Sequence, residues 1–283
     1  MPMKPDARPV AIITGACGGM GQACARQLGL RYRLALTDVD EARLRDQAEA
    51  LERAGFGVAA VIAGDVGDPS VIQALVDRVR EAGPFRAMAH TAGLSPALAG
   101  WDSIILTNLV ATEQLLRAVE PLLIADSVVV MIASNGAHLR KGEAEVDAIL
   151  DEPLAEDFLQ RILPHILRLA PTDTDRAVSG VAYALAKRAV IRMAEQRALA
   201  WGALGARIVT ISPGMTFTPM GRKEAEVDKQ VAGMLAGTPL GRWGTGMDIA
   251  NAVDFLVSDL ASFITGCDLR VDGGMAPAFG ARF

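Results

Sequence analysis

Two side chains four residues apart, in Tyr183-Ala-Leu-Ala-Lys187, carry the first chemistry legible in this 283-residue chain. On a helix, positions i and i+4 share one face about a turn apart. A free phenol, with a pKa of about 10, exchanges protons poorly at neutral pH. A neighbouring ammonium favours the phenolate and moves it toward the working range, so Tyr183 and Lys187 form a candidate proton donor and acceptor. A second cluster, Thr14-Gly15-Ala16-Cys17-Gly18-Gly19-Met20-Gly21, lies near the start of the chain. Glycines at such spacing permit a tight turn, let backbone amides approach a pyrophosphate, and let the following helix point its positive end at the phosphates.

Asp38 ends the run Leu36-Thr37-Asp38, 17 residues beyond Gly21, near the interval at which an acid meets an adenosine ribose. A carboxylate there accepts hydrogen bonds from the ribose hydroxyls and repels a 2′-phosphate. Neither Cys17 nor Val39 supplies a compensating cation, so the expected cofactor is NAD rather than NADP. Asp40 is the better candidate for capping the next helix.

These groups need elements to hold them. Short apolar runs at 10–14, 33–37, 58–63, 86–90, 127–133, 207–212 and 267–271 read as seven buried strands. Amphipathic runs at 19–30, 40–53, 69–82, 101–123, 180–204 and 247–258 read as helices. Strict alternation implies right-handed crossovers and an α/β fold with a Rossmann-type doubly wound parallel sheet, its ligands at the carboxyl ends of the strands. The expected organisation is a flexible tail at 1–9 and a single domain at 10–283.

The alternation breaks once, at about 140–179. Seven acids between Glu143 and Asp157 precede the apolar positions Phe158, Ile162, Leu163, Ile166 and Leu167, which reads as an inserted helical pair. The acids are expected on a solvated face. Because the segment leaves the sheet at a carboxyl end, its apolar side is a candidate cover for the active site.

Composition removes several classes of function. With 51% hydrophobic and 22% charged residues the chain is globular, and with only 5% aromatics its core must be built from aliphatic side chains. A net charge of −5, from 28 basic and 33 acidic residues, gives no footprint for nucleic acid. Cys17, Cys24 and Cys267 have neither metal-ligand spacing nor an even count, which fits a reducing setting. Residues 1–9 are polar and proline-rich, without the apolar run of a signal peptide. No stretch reaches the roughly 18 apolar residues of a membrane span, so a cytoplasmic protein is expected.

The turn from Thr14 to Gly21 resembles that of the short-chain dehydrogenase/reductase family in its classical branch, Thr-Gly-x-x-x-Gly-x-Gly, and the likeness runs over about 9–274 apart from the insertion. It implies that Gly15, Cys17, Gly18, Gly19, Met20 and Gly21 hold the cofactor pyrophosphate, and that Asp65 and Val66 contact adenine. Ala92 and Gly93 match the end of the family's Asn-Asn-Ala-Gly motif, with His90 and Thr91 in place of the asparagines. The residue-level expectation for His90 is a buried imidazole satisfied by backbone. Asn108, Ser134, Tyr183 and Lys187 match the catalytic tetrad. By resemblance Tyr183 exchanges the proton, Lys187 also binds the nicotinamide ribose, and Ser134 holds the substrate oxygen. Asn108 bends its helix and supports a water leading to Lys187. Pro213, Gly214, Thr216 and Thr218 match the Pro-Gly-x-x-x-Thr turn that holds the nicotinamide carboxamide. Met215, Phe217 and Met220 begin an apolar segment able to close over substrate.

Ser134 and Tyr183 stand 49 positions apart where the family has roughly a dozen intervening residues, an excess that the insertion explains. Together with Ser134-Asn-Gly-Ala-His138-Leu139 and Ala200-Trp-Gly-Ala-Leu-Gly-Ala-Arg207, it is most similar to the bacterial 3α-hydroxysteroid dehydrogenase/carbonyl reductase type. The resemblance implies hydride transfer between NAD and a secondary alcohol or ketone, a hydroxysteroid among the candidates, by a homodimer or homotetramer. A broad-range carbonyl reductase and a catalytically silent dinucleotide sensor or scaffold are the alternatives. All four tetrad positions being filled argues against the second of these.

Overall fold

The computed structural model describes residues 6–139, 141–227 and 230–279. The first element is strand β1 (Val10–Thr14), followed by α1 (Gly19–Leu28), β2 (Arg33–Asp38), α2 (Glu41–Arg53), β3 (Val58–Ala63), α3 (Pro69–Ala82) and β4 (Phe85–His90). Helices α4 (Trp101–Ile105) and α5 (Ala111–Val119) precede β5 (Val128–Ile132). Then come α6 (Ala144–Leu150), α7 (Phe158–Leu169), the long α8 (Asp175–Ala203) and β6 (Arg207–Pro213). The chain continues through β7 (Thr216–Phe217), α9 (Pro219–Val227), α10 (Gln230–Ala236), β8 (Gly244–Thr245), α11 (Gly246–Val257), β9 (Asp268–Val271) and α12 (Met275–Ala278).

Seven strands form one parallel sheet in the order β3-β2-β1-β4-β5-β6-β9, the Rossmann-type arrangement expected from the sequence. Direction of winding reverses between β1 and β4, and a crevice opens there at the carboxyl ends. β1 and β5 are buried along their whole length, as continuous apolar runs require when helices cover both faces. One core face packs residues of α3, α4, α5, α6, α7 and α8, and the other packs those of α1, α2 and α11. Short polar side chains start the helices: Asp40 accepts from the Arg43 amide, and Asp68 from the Ser70 amide ahead of Pro69 in the first turn.

Departures from the sequence reading have local causes. Residues 1–5 and Arg140 lie outside the described residues. Residues 6–9 are tied to the body, since the Arg33 amide donates to the Pro9 carbonyl at 2.9 Å and Arg8 to the Gly29 carbonyl at 3.1 Å. The helix expected at 101–123 is divided by a π turn at Leu106–Val110, where the Ala111 amide reaches back to the Leu106 carbonyl, and it ends in a 3₁₀ turn at Glu120–Leu122. Helix α8 begins at Asp175 rather than 180, because Thr174 caps it by accepting from the Ala177 amide.

The inserted pair is α6 and α7. Its acids are not a solvated face throughout: Asp147 grips Arg188 through two contacts of 2.7 Å, and Asp151 pairs with Arg192, both on α8. Phe158, Ile162 and Ile166 enter the main core, so this side packs inward. Leu167 remains exposed.

Candidate active site

Strands β1, β4, β5 and β6 end at one edge of the sheet, and each hands the chain to a candidate group. Gly15 follows β1 with φ +61°, and a Cβ there would stand 2.7 Å from the Ala92 amide nitrogen. A Cβ on Gly21 would lie 2.1 Å from the Gly15 carbonyl oxygen. Only glycine closes this turn. Helix α1 starts at Gly18 without a side-chain cap, which leaves its first amides available to an anion. A Cβ on Gly19 would come within 2.8 Å of the Thr218 methyl, so the turn after β6 lies against the turn after β1. Thr218 is buried and its hydroxyl accepts from the Gly221 amide at 3.0 Å, while the Thr216 hydroxyl donates to the Gly214 carbonyl at 3.0 Å. The Pro213-Gly214 turn is fixed against β9, with the Gly214 amide donating to the Val271 carbonyl at 3.1 Å.

At the end of β2, the Asp38 carboxylate accepts from the Cys17 amide at 2.8 Å and from the Asp40 amide at 3.2 Å. The residues flanking Asp38 in sequence offer no cation, but the fold brings one in. Arg43, one turn into α2, donates to the Cys17 carbonyl at 2.8 Å. Its separation from the turn in sequence hid it. Burial, reinforced by Asp38, pushes the Cys17 thiol up to about 11, so it stays protonated. Asp65 folds back to accept from the Gly67 amide at 2.8 Å, and Val66 is buried beside it. A cleft with a glycine cradle, an uncapped helix start and a carboxylate at the second strand fits a dinucleotide.

The four tetrad candidates converge. Ser134 leaves β5 in extended conformation and accepts from the Gly136 amide at 3.1 Å. A Cβ added to Gly136 would stand 3.4 Å from the Ser134 hydroxyl oxygen and 3.9 Å from Cε1 of Tyr183, so serine and tyrosine border one space. Lys187 is buried, its Nζ 5.9 Å from the centre of the Tyr183 ring and donating to the Ile132 carbonyl at 2.7 Å. Burial pulls its ammonium down to about 8. Asn108 lies in the π turn and makes two bonds to one residue, its Oδ1 accepting from the Leu94 amide at 2.7 Å and its Nδ2 donating to the Leu94 carbonyl at 2.9 Å. A Cβ on Gly93 would meet Asn108 Oδ1 at 3.0 Å and Lys187 Nζ at 3.5 Å.

His90 differs from expectation in its partners. Two hydroxyls, not backbone, satisfy it: Thr14 Oγ1 lies 2.7 Å from Nδ1, and Thr112 Oγ1 lies 2.9 Å from Nε2. Thr91 in turn donates to the Thr14 carbonyl at 2.7 Å.

Two family models fit the chain, that of short chain dehydrogenase over residues 9–145 and that described as enoyl-(acyl carrier protein) reductase over 165–276. D-Threitol dehydrogenase of Mycolicibacterium smegmatis is 30% identical over 277 residues, covering 94% of this chain and 92% of its own. This chain belongs to the short-chain dehydrogenase/reductase family. It is thus an oxidoreductase of alcohols or ketones that binds a nicotinamide dinucleotide. Among solved structures, a Brucella melitensis short-chain dehydrogenase/reductase described as a glucose/ribitol dehydrogenase superimposes with a TM-score of 0.73 at 25% identity, covering 96% of this chain and 99% of that one. A Burkholderia cenocepacia short-chain dehydrogenase solved with NADP shares the fold with a TM-score of 0.73 at 22% identity, covering 96% and 99%.

A cavity of about 520 Å³ is lined by Met215, Pro239, Leu240, Val271 and Gly274 and by none of the tetrad residues. Phe217 is pinned by an edge contact with Trp243 at 6.0 Å and by Arg222 at 5.4 Å, and β7 pairs with β8, so the apolar segment after β6 is tethered. No described helix is long and apolar enough to cross a membrane.

Proposed function

We propose that this dehydrogenase moves a hydride between NAD and a secondary alcohol or ketone, with a lipophilic substrate. The observation that carries the reading is the meeting of Ser134, Tyr183 and Lys187 around the glycines after β4 and β5. A bound nicotinamide supplies the hydride chemistry. The chain's own part is to hold the substrate oxygen at the Ser134 hydroxyl and to move its proton at the Tyr183 phenol. Lys187, cationic below about pH 8, favours the phenolate. Asn108 holds the loop after β4 through Leu94 and stands beside Lys187 over Gly93.

Asp38 supports NAD. A 2′-phosphate would meet a carboxylate anchored on two amides, and the nearby Arg43 guanidinium is engaged with the Cys17 carbonyl. Large apolar side chains exposed on the segments leaving the carboxyl ends of β4, β5 and β6, namely Leu98, Leu139, Phe217 and Met220, support a lipophilic substrate, hydroxysteroids included. We further propose a homodimer or homotetramer in the cytoplasm.

The test is a panel of alcohols and ketones, from small ketones to steroids, followed by NADH absorbance with NADP in parallel. Turnover at a kcat/KM at least about tenfold higher with NAD is expected, and Asp38→Ala should raise the KM for NAD by about tenfold, the worth of a charged hydrogen-bond partner. Preference for NADP would overturn the cofactor assignment. Tight NADH binding with no turnover anywhere in the panel would favour a dinucleotide sensor.

A further inference from the structure

The last residue of β4, His90, is nearly fully buried in a line of hydrogen bonds that runs from the glycine turn to the tetrad. The Ala92 amide donates to Thr14 Oγ1 at 3.2 Å, Thr14 Oγ1 lies 2.7 Å from His90 Nδ1, His90 Nε2 lies 2.9 Å from Thr112 Oγ1, and Thr112 Oγ1 donates to the Asn108 carbonyl at 3.0 Å. Counting protons fixes its direction. The Thr112 hydroxyl has one proton, and it goes to Asn108, so His90 Nε2 must be the donor to Thr112. Nδ1 is then the acceptor, and Thr14 donates to it. Every group in the line is satisfied only if the imidazole is neutral with its proton on Nε2.

We infer that His90 is a positioning residue of the reaction, coupling the nucleotide turn through Thr14 to the Asn108 backbone through Thr112. This rests on the oxidoreductase reading above. Thr14 immediately precedes Gly15, whose position against Ala92 leaves no room for a Cβ, so a shift at one end of the line is felt in the turn. Asn108 sits in the π turn with its side chain over Gly93 beside Lys187, so a shift at the other end is felt where the proton is handled. Burial, reinforced by the nearby Lys187 ammonium, keeps the ring neutral down to about pH 3. Ring charging would remove the acceptor that Thr14 needs.

The two arms can be cut separately. An asparagine amide can take the place of Nδ1, and a glutamine amide that of Nε2, so His90→Asn keeps a partner for Thr14 while His90→Gln keeps one for Thr112. His90→Asn should leave the NADH dissociation constant within about twofold, lower kcat about five- to tenfold and shift its pH profile, the effect of one lost hydrogen bond on the transition state. His90→Gln should restore kcat to within about threefold of wild type and weaken NADH binding about five- to tenfold. Thr112→Val, which cuts only the second arm, should reproduce His90→Asn. If both histidine variants lower the melting temperature and move kcat and NADH affinity alike, or move neither, His90 is only a core residue. Imidazole ¹⁵N spectra supply a readout that needs no turnover. His90, identified by its loss in His90→Asn, should hold the Nε2–H tautomer from about pH 5 to pH 9 and shift when NADH is added, whereas titration near the free value of about 6.5, or indifference to NADH, would overturn the inference. A protein inactive on every substrate but showing that shift would refute the oxidoreductase reading and leave the coupling standing.

Discussion

Lys187 and Arg188 are neighbours in sequence and opposites in environment. Lys187 faces the sheet, buried, donating a hydrogen bond to the Ile132 carbonyl, and burial pulls it down to about 8. Arg188 faces the inserted helices, where the Asp147 carboxylate takes it in a two-point grip and raises it above the usual guanidinium value. A 100° step around α8 separates a cation held ready for proton chemistry from one used for assembly. Chemistry needs a charge that is easily lost or matched; structure needs one that is fully compensated. The insertion thus grips one face of the catalytic helix, the back, through Arg188 and Arg192, while the tetrad uses the Lys187 face, the front; the two are not sealed from each other, since Val146 and Asp147 line a cavity of about 230 Å³ together with Gly136.

The largest effect expected on the front face comes from Tyr183→Phe. Steady-state assays should record a fall in kcat of about 10²–10⁴-fold, the usual contribution of a positioned acid or base, with the NADH dissociation constant within about twofold. Retained turnover would remove the distinction between the faces. Next is the pH dependence of Lys187. Its folded pKa of about 8 lies below the unfolded value of about 10.5, so between those pH values the unfolded chain binds the extra proton. Stability without cofactor should therefore rise with pH across that window in wild type relative to Lys187→Met, by at most about 3 kcal/mol, in urea melts at several pH values. A flat difference would place the ammonium in water. On the back face, Asp147→Ala leaves a half-buried guanidinium without its carboxylate and should cost about 1–3 kcal/mol in the same melts, with kcat within about threefold. A collapse of kcat would mean that the brace positions Tyr183. The smallest effect belongs to the exposed pair Arg168–Glu143 at 2.5 Å, where Arg168→Ala should change stability by less than about 0.5 kcal/mol.

Much of this was legible because local pattern and global fold agree. The bounds of β1 and β3 and of the long α3 follow from apolar runs and from the Asp68-Pro69 start. What escaped was long-range or subtle. Nothing in 101–123 marks the π turn, since its residues continue the helical pattern on both sides. Thr174, followed by Asp175, is an N-cap signal for α8 that the apolar periodicity starting later concealed. Arg43 reaches the glycine turn across 26 positions, and Thr112 meets His90 across 22.

By itself the sequence determined the strand and helix alternation, the glycine turn, Asp38 and the order of Asn108, Ser134, Tyr183 and Lys187, because burial periodicity and side-chain chemistry are properties of local residues. Tertiary structure alone decided which groups meet: the 49-position gap between Ser134 and Tyr183 closes around Gly136, the inserted acids find the arginines of α8, and His90 finds two threonine hydroxyls. Those outcomes depend on packing in three dimensions, where a buried polar group must take whichever partner the fold brings within reach.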